Sequence, residues 1–131
     1  MSYYFNTTLK GVSFSEATEK VIHELKNEGF GVLTEIDMKA TLKKKLDVDF
    51  CNYTILGACN PPFAYEALQV EDKIGTMLPC NVIIQEKEKG KIEVSVVDPA
   101  ASMVAVENEY LIEIAEKVRY KLKRVVVNLT E

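Results

Sequence analysis

The chain has 131 residues, 47% of them apolar and 27% charged, with a formal net charge of −4. That length suits a single domain, expected over residues 1–131, which buries roughly two thirds of its unfolded surface without a disulfide or metal staple. The acidic balance argues against a nucleic-acid partner, which needs clustered positive charge, and no apolar run reaches the length that crosses a bilayer.

Residues 2–9 alternate, with Tyr3, Phe5 and Thr7 on one face, and predict a first strand, with Tyr3 and Phe5 expected to leave apolar surface on the face of the sheet that the helices do not cover. Ser13 and Glu16 stand at capping-box spacing and open a helix with the apolar stripe Phe14, Ala17, Val21, Ile22 and Leu25. Gly29 supplies its left-handed end. A second strand follows from Phe30 to Ile36, and Asp37 caps a short helix with Met38, Leu42 and Leu46 inward and Lys39, Lys43 and Lys44 outward. Tyr53 to Ala58 is apolar on both faces and reads as a central strand.

Asn60 and Pro61 begin a third helix over about 61–71, with Asn60 as cap and proline tolerated in the first turn; Phe63, Ala64, Ala67 and Leu68 form its buried face. Pro79 to Glu86 and Lys91 to Val97 are strands joined by Glu88-Lys89-Gly90, a loop that predicts a hairpin with a bulge. The register sets Ile84 opposite Val94 and Val82 opposite Val96. From about Asn108 a long helix runs to the mid-120s on the stripe Leu111, Ile114, Val118, Leu122 and Val125. The order defines an α/β (α+β) two-layer sandwich. Its sheet of about five strands is mixed, largely antiparallel, and covered on one face, chiefly by the first and last helices.

Cys59 ends the central strand directly before a helix N-terminus, where the helix dipole favours a thiolate. Cys80 begins the next strand, and the hairpin register extends to set it near Asp98. Cys59, Asn60, Pro61, Pro79, Cys80 and Asp98 are therefore the candidate ligand-binding residues. Free cysteines are also common as small buried hydrophobes, so the same pattern reads as packing. A redox or metal-handling pair is the competing chemistry, although zinc's finger-type ligand spacing is missing. No catalytic residue, metal or cofactor is expected.

His23, the single histidine, falls on the solvated face of the first helix, and Cys51 looks incidental. Glu86, Glu88, Glu93, Glu107, Glu109, Glu113 and Glu116 fall on outer faces and turns and read as solubility. Gly29-Phe30-Gly31 follows a helix rather than a strand and is not a phosphate loop. Gly57 inside a strand marks a close backbone approach or a bulge. Three irregularly spaced cysteines and an N-terminus lacking a signal-peptide pattern point to the cytoplasm.

Taken in order, Phe14-Ser-Glu-Ala, Leu25-Lys-Asn-Glu-Gly-Phe-Gly-Val, Glu35-Ile-Asp37, Ala58-Cys59-Asn60-Pro61, Ile74-Gly and Leu78-Pro79-Cys80 resemble the bacterial and archaeal family catalogued as domain of unknown function number 302. The resemblance spans about residues 3–125. It implies a small two-layer fold of the TATA-binding-protein-like kind, often seen as a homodimer, with no assigned activity. Pro62, a second proline after Asn60-Pro61, departs from the pattern and tightens the helix entrance. The expected function is a homodimeric small-ligand-binding or regulatory module rather than an enzyme, with no nucleic-acid or membrane partner. The alternatives are a thiol-dependent redox or metal-handling protein using Cys59 and Cys80, and a structural partner-binding protein.

Overall fold

A computed structural model describes residues 2–130; residues 1 and 131, which the single-domain expectation includes, lie outside it. The strands are β1 (Tyr4–Lys10), β2 (Gly31–Asp37), β3 (Asn52–Cys59), β4 (Cys80–Glu88) and β5 (Lys91–Val97). The helices are α1 (Phe14–Asn27), α2 (Met38–Leu46), α3 (Pro61–Val70), α4 (Pro99–Ser102) and α5 (Glu109–Leu129), with a 3-10 helix over Asp72–Met77. Alternation and helical periodicity thus produce the expected order. The short α4 and the 3-10 helix are additions that periodicity does not reveal, because neither is long enough to display one.

The strands form one sheet in the order β1-β5-β4-β3-β2. Every pairing is antiparallel, so the fold is a two-layer α/β sandwich without a parallel pair. The central strand is β4, and β3 lies between it and the edge strand β2. Ile84 pairs with Val94 and Val82 with Val96, as the hairpin pattern requires. The turn itself is shorter than predicted. Glu88 pairs with Lys91, and the irregularity falls between Gln85 and Glu88. Glu86 explains the shape of this turn: its Oε2 accepts the Gly90 N–H at 3.0 Å and its Oε1 accepts from Asn52 Nδ2 at 3.1 Å. These bonds, the Gly90 N–H first, hold its carboxyl below the ordinary carboxylate range. Glu86 is thus a turn anchor rather than a solubilising charge, and Glu93 likewise accepts from Gln85 and Asn6 across the open face.

Val82, Ile84, Ile92, Val94, Val96 and Leu56 are fully buried beneath Val21 and Leu25 of α1 and Leu122 and Val125 of α5. These two helices are the principal cover because their stripes are long enough to span the sheet. The Ser13–Glu16 capping box starts α1, and Gly29, at φ 89°, follows its end. Asn108 Oδ1 caps α5 by accepting from Tyr110 and Leu111.

Two expectations about packing fail. Helix α2 is capped by Asp37 as predicted, yet none of its residues is buried, and Leu46 is 66% exposed. It interrupts the antiparallel β2–β3 connection, so it caps that connection instead of joining the helical layer. Phe5 does not lie on the uncovered side of the sheet. It packs against the core under α5, with the Arg119 guanidinium 5.3 Å and Lys123 Nζ 5.6 Å from its ring centroid. The alternation in β1 is right. Its phase relative to the helices depends on which face of the sheet they cover, and tertiary packing decides that.

Candidate functional site

Between the layers, α3, α4, α5 and the 3-10 helix border a half-open cavity of about 350 Å³ over the end of β3 and the start of β4. Phe63, Ala64, Ala67 and Leu68 of α3 line it, as do Leu111, Ile114, Ala115 and Val118 of α5. Helix α3 has the predicted apolar face, but that face meets open space. Only Ala67 is buried, and Leu68 stays 44% exposed.

Of the six candidate site residues, Cys59, Asn60, Pro79 and Cys80 line the cavity. Register explains the grouping, since Ala58 pairs with Cys80 and thereby brings the end of β3 beside the start of β4. Pro61 and Asp98 are not among the lining residues. Asp98 is instead committed elsewhere. Its Oδ1 accepts the Ala100 N–H at 3.0 Å, capping α4, and its Oδ2 accepts from Arg119 Nε at 3.1 Å. Pro99, the next residue, reaches the cavity in its place. Sequence reasoning missed Phe30, Leu33, Leu78 and Met103 in the lining. Their apolar character was visible, but nothing local sets them around one void.

Asn60 holds the N-cap position of α3, but its side chain makes no cap bond. Its Nδ2 donates to the Glu28 carbonyl at 3.2 Å, tying the start of α3 to the end of α1. The two elements meet closely: a Cβ on Gly29 would sit 3.1 Å from Asn60 Nδ2. Glu28 extends the tie to α5, because its buried Oε2 pairs with Arg124 Nε at 3.3 Å. Asn60→Ala therefore removes a buried bond between helices and should cost about 1–2 kcal/mol. Asn60→Asp, which would be harmless at a true cap, should destabilise similarly, because a carboxylate cannot donate to the Glu28 carbonyl. Thermal melts check this, and an aspartate variant as stable as the parent would contradict the assignment.

Cys51, Cys59 and Cys80 are free thiols. Burial pushes the Cys80 thiol from an ordinary 9.0 up to about 11, and nearby Cys59 adds to the rise. Cys80 is thus neutral at physiological pH, whereas a reactive thiol requires a lowered value. The neutral form is the one burial favours, so its stabilising contribution is complete below pH 9 and lost as pH rises through 11. Between pH 8 and 10 the stability advantage of the parent over Cys80→Ala should shrink by about 1 kcal/mol in denaturant titrations. Limited alkylation with peptide mapping should label half-buried Cys59 before Cys80. Equal protection of the two would contradict that order.

Among the described residues no group of three or more His, Cys, Asp or Glu side chains is placed to hold a metal ion. Among the same residues no helix is long and apolar enough to cross a membrane. His23 is exposed on α1 and is absent from the cavity lining.

Fold and site together define a two-layer α/β sandwich with an apolar cavity between sheet and helices. The chain matches the family described as Domain of unknown function DUF302 over residues 5–129, and it belongs to that family. It is similar to the crystal structure of an uncharacterized conserved protein of this family from Bacillus stearothermophilus, with a TM-score of 0.89 and 25% identity over 98% of this chain and 99% of that one. No protein of curated function matches it.

Proposed function

We propose that the protein is a cytoplasmic, homodimeric binding module that holds a small molecule in the cavity between α3, α5 and the sheet. The carrying observation is the cavity itself. About 350 Å³ falls within the usual range for small-ligand sites, and its lining is almost wholly apolar although it opens to solvent. Binding is favoured over thiol chemistry because the buried thiol is shifted away from reactivity. Support for the dimer comes from the face of the sheet without helices, where Tyr4, 42% exposed, stands with Tyr53, Ile83 and Val97 around the already bonded Asn6, Ser95 and Glu93. A second copy laid on this face would cover the tyrosines.

Native mass spectrometry of protein taken from its own cell extract tests both parts. The expected spectrum is a dimer carrying a small adduct that denaturation releases. Ala64→Phe, which fills the cavity from a half-buried position, should lose the adduct and keep the dimer. Tyr4→Arg should give monomers that retain the adduct. An adduct that persists in Ala64→Phe, or a parent protein that is monomeric and empty, overturns the corresponding part.

A further inference from the structure

We propose that the cavity's ligand is an uncharged, largely hydrocarbon molecule of about bicyclic size that donates one hydrogen bond to Asn60 Oδ1. This inference rests on the binding reading above and adds the chemical class to it. No lining side chain is charged, and Asn60 is the one lining residue whose side chain carries nitrogen or oxygen. A charged group placed inside the cavity would leave water without a countercharge, which is strongly unfavourable.

The helix N-terminus at the cavity does not supply the missing compensation for an anion. Helix starts bind anions through free N–H groups. Here Pro61 and Pro62 occupy the first two helical positions and carry none, and the Ala64 N–H is used by the Asn60 carbonyl, so Phe63 contributes the single free N–H, too little to replace the hydration of an anion. The thiol of Cys80, held neutral by burial, adds no charge.

Among side chains one oxygen remains. Asn60 Nδ2 is occupied by the Glu28 carbonyl, which also fixes the amide's orientation, since the reverse would oppose two oxygens. Oδ1 receives no hydrogen bond from the described residues, and it is not sealed from open space, because no buried side-chain oxygen lacks a partner. It is therefore a free acceptor on a residue that lines the cavity, and the ligand proposed here donates to it. Size follows from volume. A cavity of about 150 Å³ accommodates benzene, so about 350 Å³ accommodates a fused or linked pair of rings or its equivalent.

The experiment uses two fluorescent arylamines that share a skeleton and an N–H donor but differ in charge: N-phenyl-1-naphthylamine, neutral, and 1-anilinonaphthalene-8-sulfonate, anionic. The neutral probe should bind the intact protein at least tenfold more tightly, and Ala64→Phe should weaken it at least tenfold. Competition then isolates the hydrogen bond without altering the protein. 2-Naphthol should displace the probe about tenfold more effectively than 2-methylnaphthalene, which has similar size and no donor. Equal or tighter binding of the sulfonate overturns the neutral class while leaving the cavity as a binding site. Equal displacement by the two naphthalenes overturns the role of Asn60 Oδ1. Failure of both arylamines to bind, or binding that Ala64→Phe leaves unchanged, overturns the binding reading itself.

Discussion

Asp98→Ala should lower stability by about 2–3 kcal/mol, the larger of two effects expected outside the hydrophobic core. Asp98 is 8% exposed and holds two partners: the Ala100 N–H that starts α4 and the Arg119 guanidinium on α5. Removing the carboxylate strands a donor at the head of α4 and leaves a cation without its counter-ion. The estimate stays at the lower end for a buried pair because the Arg119 side chain is 35% exposed and water partly replaces the lost partner. Asp98→Asn keeps an oxygen for the Ala100 N–H and loses the charge, so it should fall between parent and alanine variant. A double-mutant cycle with Arg119→Met isolates the pair, since additive losses would mean that the two side chains do not interact. The disturbance should also reach the cavity, because α4 carries Pro99 into its wall. Weaker ligand retention should accompany the lower melting temperature.

Gly57→Ala should cost about 1–3 kcal/mol, the range for forcing added volume into a packed site. A Cβ at Gly57 would collide with Thr34 Oγ1 and lie 2.7 Å from Pro79 Cγ. The threonine hydroxyl can rotate away, but the proline ring has no such freedom. The cause lies in strand pairing: β2 bulges between Val32 and Thr34, and Thr34 then pairs with Gly57 itself. Adding Thr34→Ala should recover only part of the loss in chemical denaturation, leaving the share owed to Pro79. Full recovery would assign the crowding to Thr34 alone. A parent-like single variant would show that this sheet edge shifts freely. Pro79 lines the cavity, so displacement of its ring should also change binding of the neutral arylamine.

The features legible before folding are those set by neighbours along the chain or by one strand pair. Ser13 and Glu16 cap each other across three residues, and the α5 stripe Leu111–Val125 needs only helical period. The β4–β5 register follows from two alternating strands and a short turn. Even part of the site was visible, because Cys59 and Asn60 leave β3 where Pro79 and Cys80 enter β4, and antiparallel pairing brings those ends together.

What stayed hidden depends on partners distant in sequence. Asn60 looks like a cap because the sequence shows the helix it precedes but not the Glu28 carbonyl 32 residues earlier, which takes its amide. Asp98 looks like a site residue until Arg119, 21 positions later, arrives on α5 to claim it. The apolar faces of α3 and α2 carry the same kind of pattern as those of α1 and α5, yet one borders a void and the other stays outside the layer. Hydrophobic periodicity records which side of an element avoids water. Whether that side meets a packed core, an empty cavity or only the end of a sheet is decided when the elements are assembled in three dimensions.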